Sequence, residues 1–125
     1  MKILITAFTL VIAFCGSTSS QAQENLAPKD FIQKLKTTPN AQLLDVRTPN
    51  EWNAGKIASS KCINYNDPAF KEQVQKLDKN KPVFVYCAVG GRSTKASQIL
   101  KESGFKLIYN LQGGGYADLA KEGIK

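Results

Sequence analysis

The sequence predicts an α/β fold, a small and mostly parallel sheet flanked by helices on both faces, and three observations carry that expectation. Strand-like and helical stretches alternate along the chain after Asn25, the order of β-α-β units rather than of hairpins. Two strand candidates, Gln42 to Val46 and Pro82 to Tyr86, are largely apolar runs, as strands covered on both faces are. Breakers such as Thr38-Pro39-Asn40, Asn80-Lys81-Pro82 and Ser103-Gly104 separate the stretches.

The chain opens with Met1-Lys2, an apolar run from Ile3 to Cys15, and small polar residues up to Gln23. That order is the order of a secretory signal peptide, with Ser20-x-Ala22 as the cleavage site. Residues 1–22 are expected to be a leader and residues 23–125 a single domain, which places the mature protein in the periplasm or outside the cell. The apolar run falls short of the about 20 residues that a membrane span needs, so no stable span is expected. Ile12-Ala13-Phe14-Cys15 resembles a lipobox only faintly, because Phe14 sits where a small residue is usual; a lipid anchor at Cys15 is not the favoured reading.

The elements follow in order. Pro28 to Leu35 has helical spacing, with Pro28 suited to a first turn. After the strand from Gln42 to Val46, Thr48 caps a short helix, Glu51 completes its capping box and Gly55 ends it. Lys61 to Tyr65 is a strand candidate. Asp67-Pro68 starts a helix that carries Phe70, Val74 and Leu77 at helical spacing. Pro82 to Tyr86 is the central strand. Ser93 to Glu102 is a helix with Ala96, Ile99 and Leu100 inward, closed by Ser103-Gly104. Lys106 to Tyr109 is the last strand and Tyr116 to Glu122 the last helix. Trp52, a single aromatic, is expected in the core.

The central strand ends in Cys87, and Ala88, Val89, Gly90 and Gly91 lead into Arg92-Ser93 at the start of a helix. Ligands of parallel sheets bind beyond the carboxyl ends of strands, where this thiol falls. The main-chain amides of residues 88 to 92 are expected to converge on the sulfur, with the helix dipole behind them, and to keep it ionised and reachable. Gly90 and Gly91 allow positive φ, Arg92 either orders the loop or meets substrate, and Ser93 is a helix cap whose hydroxyl can reach the sulfur. Asp45, Arg47 and Glu51 lie close together across a strand–helix turn. They read as structural support, a local exposed ion pair and cap of little net energy, in preference to support of the active loop.

Cys87-x-x-Gly90-x-Arg92-Ser93 resembles the active loop of rhodanese-type sulfurtransferases. Leu43 to Trp52 followed by Gly55-Lys56-Ile57, and Asn110-Leu111-Gln112-Gly113-Gly114, resemble the family's other two signatures, in the same order over nearly all of the chain after residue 25. The resemblance implies a rhodanese-like fold and a single-domain sulfurtransferase. Cys87 would take sulfane sulfur from a small sulfur-containing anion or persulfide donor (thiosulfate, a persulfide or a polysulfide) and become a persulfide. A thiol or a cyanide-like acceptor would then remove the sulfur, in two half-reactions and without a cofactor. The family fold also implies separated strands for Cys62 and Cys87, at opposite strand ends, too far apart for a disulfide, whose Cα atoms lie within about 7 Å. Cys62 is then a packed strand residue.

Departures from the family pattern include Lys56 where a histidine is common and Leu119 where a tryptophan is frequent. Ala88 stands where a polar or basic residue often helps to hold thiosulfate, so a persulfide or polysulfide is the expected donor. The chain contains no histidine, which excludes a Cys-His hydrolase in its usual form. Phosphatases and arsenate reductases of related fold resemble a Cys-x5-Arg pattern, whereas four residues separate Cys87 from Arg92 here. A non-catalytic binding module of the same fold is the other alternative, disfavoured because a binding surface needs neither the thiol nor the glycines.

A net charge of +7 over 125 residues modestly favours anionic substrates. The lysines are scattered over helices and turns with no basic run interleaved with aromatics, so no nucleic-acid partner is expected. No cluster of metal-ligating residues is apparent, and neither metal nor cofactor is expected.

Overall fold

Among the described residues five strands form one sheet, and every pairing in it is parallel, as the alternation of elements predicts. They are β1 (Ala22–Leu26), β2 (Gln42–Asp45), β3 (Lys61–Cys62), β4 (Val83–Tyr86) and β5 (Leu107–Leu111), in the spatial order β1-β5-β4-β2-β3. The helices are α1 (Pro28–Thr37), α2 (Pro49–Ala54), α3 (Phe70–Val74), α4 (Gly91–Glu102) and α5 (Tyr116–Lys121). The structure is a computed structural model that describes residues 22–125. The expected leader, residues 1–22 with Cys15 in it, lies outside the described residues apart from Ala22, which falls in β1. Among the described residues no helix is long and apolar enough to cross a membrane.

Successive strand residues point to opposite faces, so β2, β4 and β5 each feed two cores. Leu44, Val83, Val85 and Ile108 pack with Phe70 and Val74 of α3 and with Ala96 and Leu100 of α4. Leu43, Phe84, Tyr86, Tyr109 and Leu111 pack on the other side with Phe31 and Ile32 of α1 and Leu119 of α5. Phe84 anchors that second core, its ring edge-on to Phe31 at 5.3 Å and tilted against Tyr109 at 4.7 Å. The chain runs outward from β2 to β3, crosses back over β2 to β4 and continues to β5. The direction of winding therefore reverses beside β2 and β4, and the crevice at their carboxyl ends is where such sheets bind ligands.

Several expectations need correction. β1 pairs with β5 along its whole length, although the sequence reads as a polar tail up to Asn25. An edge strand is held by main-chain hydrogen bonds and needs no apolar period, so composition does not reveal it. β3 spans only two residues, not Lys61 to Tyr65. The bonding to β2 continues irregularly beyond it, with Ile63 donating to the Asp45 carbonyl at 2.9 Å and Tyr65 to that of Val46 at 3.1 Å. Trp52 belongs to neither core. It is half-buried on α2, a helix with no buried residue, and its indole N–H finds no acceptor among the described residues. Cys62 and Cys87 are both free thiols on separated strands, but at the same end of the sheet rather than at opposite ends. Cys62 and Tyr86 are both level with Asp45, so two strand spacings, about 10 Å, separate the positions, beyond disulfide reach.

α4 presses Leu100, fully buried, into the first core, while the neighbouring Ile99 is only partly buried against it. Leu100→Ala is expected to cost about 2–5 kcal/mol in urea unfolding, and Ile99→Ala clearly less; equal losses would place the helix face wrongly.

Candidate active site

Cys87 follows the last residue of β4 in the middle of the sheet, and the chain turns there into α4 within four residues. The turn depends on Gly90, whose φ of 101° lies in the left-handed region that favours glycine. In that conformation the Gly90 N–H points back and donates to Cys87 Sγ at 2.9 Å. The thiol sits 3.5 Å from Ser93 Oγ, as donor to it when protonated. Burial pushes the thiol pKa up. The Ser93 hydroxyl and the main-chain amides of Ser93, Gly90 and Val89 outweigh it, so the thiol is held below its ordinary value. Of the amides expected to converge, only that of Gly90 makes a hydrogen bond to the sulfur.

Three expectations about the loop change. Gly91 does not take a positive φ; it is exposed, with open space where a side chain would begin. Ser93 is not the helix cap. Gly90 occupies that position, and Ser93, one turn in, turns its hydroxyl toward the Gly90 carbonyl at 3.1 Å and the sulfur. Cys87 is not open to solvent: its exposure is 0%, and it belongs to the apolar set of Val46, Val85 and Ala96. The cause is the tight closure of the loop on the sulfur, so a donor reaches Sγ only when that closure loosens. Val89, 80% exposed next to it, is the one large hydrophobic residue so exposed among the described residues.

Arg92 orders the loop. Its guanidinium grips Glu51 of α2 with two bonds, at 2.6 and 3.0 Å. Arg92 holds the Glu51 carboxyl down to about 2, with burial opposing and Thr48 adding to the effect. Glu51 also completes the predicted capping box, accepting from the Thr48 N–H at 3.2 Å while the Thr48 hydroxyl accepts from the Glu51 N–H. Glu51 thus supports the active loop as well as its own helix, a correction to its reading as a cap alone. Asp45 and Arg47 do form the predicted local pair, but a buried one. Their exposures are 0% and 4%, with Arg47 donating to Asp45 at 2.8 Å and to the Gly55 carbonyl at 2.8 Å, and Tyr86 donating its hydroxyl to Asp45 at 2.8 Å. An ion pair out of water contributes through its full set of hydrogen bonds rather than through charge alone.

α5 closes the site from the other side, and the sequence reading missed it. The Tyr116 N–H donates to the Cys87 carbonyl at 2.9 Å, and the Arg47 guanidinium lies 4.0 Å from the centre of the Tyr116 ring. Gly115 packs so closely on the Cys87 and Ala88 carbonyls that a β-carbon would overlap them. The run Gly113-Gly114-Gly115 was the available signal for such an approach. Among the described residues no three potential metal ligands cluster.

Comparison with known proteins agrees with this fold. The family model described as "Rhodanese-like domain" matches residues 27–120. The chain is 40% identical over 112 residues to uncharacterized protein YqhL of Bacillus subtilis, covering 90% of this chain and 85% of that one. It is 35% identical to the tRNA uridine(34) hydroxylase of Pelagibacter ubique over 90% of its own length but only 38% of the relative's. A solved structure described as the polysulfide-sulfur transferase homodimer of Wolinella succinogenes superposes with a TM-score of 0.62 at 34% identity, covering 82% of this chain and 76% of that one.

Because Glu51 is ionised down to about 2, against an ordinary 4.5, its pairing stabilises the fold fully above pH 4.5 and is lost as pH falls through about 2. Glu51→Gln is therefore expected to be less stable than wild type at pH 7, with the gap in urea midpoint closing as pH drops from 4.5 toward 2. A gap that stays constant over that window would mean that the charge of the pair does not matter.

Proposed function

The chain belongs to the rhodanese-like domain family, and we propose that it is a sulfurtransferase that carries sulfane sulfur on Cys87. The observation that supports this most directly is the Gly90 N–H 2.9 Å from Sγ at the carboxyl end of the central strand, with the Ser93 hydroxyl beside it. A thiolate held by amides needs no general base, which suits a chain without histidine.

In the first half-reaction the Cys87 thiolate attacks the outer sulfur of a donor. The new S–S bond forms as the donor's own bond to that sulfur breaks, and the electron pair leaves with the rest of the donor, as a thiolate from a persulfide or as sulfite from thiosulfate. In the second, an acceptor thiolate attacks the outer sulfur of the Cys87 persulfide and Cys87 leaves as the thiolate. The sulfane sulfur moves without net gain or loss of electrons, so no cofactor is required.

The loop favours a persulfide or polysulfide over thiosulfate. Ala88 and Val89 offer no charge, and the Arg92 guanidinium is engaged by Glu51. A doubly charged donor with a sulfite leaving group would gain little there beyond the amides. The relative described as a polysulfide-sulfur transferase is in keeping with that choice. Export to the periplasm or beyond, through a leader at residues 1–22, belongs to the same proposal and rests on the order of charge, apolar run and small residues.

The full burial of Cys87 favours a second reading, a non-catalytic module that binds a partner. Mass spectrometry after incubation with polysulfide separates the two. The first reading expects an adduct of one sulfur atom on the wild type and none on Cys87→Ser; an unmodified wild type supports the second. Ala88→Arg is expected to raise thiosulfate turnover with cyanide about tenfold, since a charged hydrogen bond is worth about 1.5 kcal/mol or more. No gain would count against the donor preference.

A further inference from the structure

Asn110, the fourth of the five residues of β5, is a polar side chain with 0% exposure. Its Oδ1 finds no partner among the described residues, and such an unpaired acceptor costs about 1–3 kcal/mol. The other end of the amide is fully used. Nδ2 donates to Asn25 Oδ1 of β1 and to Thr94 Oγ1 of α4, each at 3.0 Å.

Thr94 Oγ1 lies 2.7 Å from the Gly90 carbonyl and can only donate there. Asn110 fills the acceptor side of the same hydroxyl, so the direction of both bonds is fixed. Ser93 competes for the same carbonyl from 3.1 Å, and its other neighbours are Cys87 Sγ and the Leu111 carbonyl, both at 3.5 Å. The Thr94 N–H, at 3.2 Å, and the Thr94 hydroxyl together take both lone pairs of the Gly90 carbonyl, so the Ser93 hydrogen is free to turn to the sulfur once it ionises.

We propose that Asn110 and Thr94 are positioning residues that occupy the Gly90 carbonyl and so direct the Ser93 hydroxyl onto the Cys87 thiolate. Remove the Thr94 hydroxyl and Ser93 stays on the Gly90 carbonyl when Cys87 ionises; the thiolate loses one of its donors. The inference rests on Cys87 being the reactive thiol of the proposed function, but not on which donor or acceptor it serves.

The charged groups around the loop are Arg92 and Glu51, bound to each other, Asp45 and Arg47, bound to each other, and Asp118 of α5, whose carboxylate accepts from the Gly115 N–H. No histidine titrates near neutrality. The pH dependence of alkylation by iodoacetamide, followed on the Cys87 peptide by mass spectrometry so that Cys62 does not interfere, thus reads the Cys87 thiolate.

Thr94→Val and Asn110→Leu are each expected to raise the alkylation midpoint by about 0.5–1 pH unit, a roughly three- to tenfold smaller thiolate fraction below it. Thr94→Ser should restore the wild-type midpoint, and on a Ser93→Ala background Thr94→Val should shift it no further. Variants that lose thermal stability yet keep the wild-type midpoint would overturn the relay while leaving a reactive Cys87 intact. A wild type whose Cys87 resists alkylation at every pH would overturn the relay and the reactive thiol together.

Discussion

The left-handed conformation of Gly90 is the constraint on which the site depends. One residue has to turn a strand into a helix while sending its N–H backward to Sγ and its carbonyl forward to the Thr94 N–H, at 2.9 and 3.2 Å. A residue with a β-carbon would meet about 1–2 kcal/mol of strain in that conformation. β4 is flanked by β2 and β5, so the strand that leads into the sharp turn is braced on both sides.

The bracing comes from three directions. Glu51 reaches across from α2 to Arg92, Tyr116 brings the start of α5 onto the Cys87 carbonyl, and Asn110 reaches from β5 through Thr94 to Gly90. Arg47 links the first two supports, held by buried Asp45 and the Gly55 carbonyl on one side and stacked on Tyr116 on the other. The consequence is electrostatic. Both arginines near the loop are committed to carboxylates, so the positive potential at the sulfur comes from main-chain amides and one hydroxyl rather than from a free cation.

That division also governs what a single sequence reveals. The strands and helices with a clear apolar period, the Thr48–Glu51 capping box and the thiol at the end of the central strand were legible because each signal is local. β1 was not, since an edge strand of polar residues is held by its backbone. The Arg92–Glu51 grip joins residues 41 apart in the chain, and nothing local marks it. Gly90 and Gly91 are equivalent as letters; only the geometry shows that one is bent and the other exposed. The burial of Cys87 was missed for a related reason. Glycines suggest an open loop, whereas here Gly90 lets the loop close on the sulfur.

Closure and reactivity are compatible because the main-chain donor is fixed before the charge appears. Taking a thiolate out of water disfavours it, but the same lack of water strengthens the Gly90 amide that points at it, and only the Ser93 hydroxyl has to turn as the proton leaves. The direction of the Cys87 shift shows that the second effect outweighs the first. In the proposed cycle the outer sulfur of the persulfide lies about 2 Å beyond Sγ, and because Cys87 is fully buried the loop has to loosen both to load that sulfur and to hand it on.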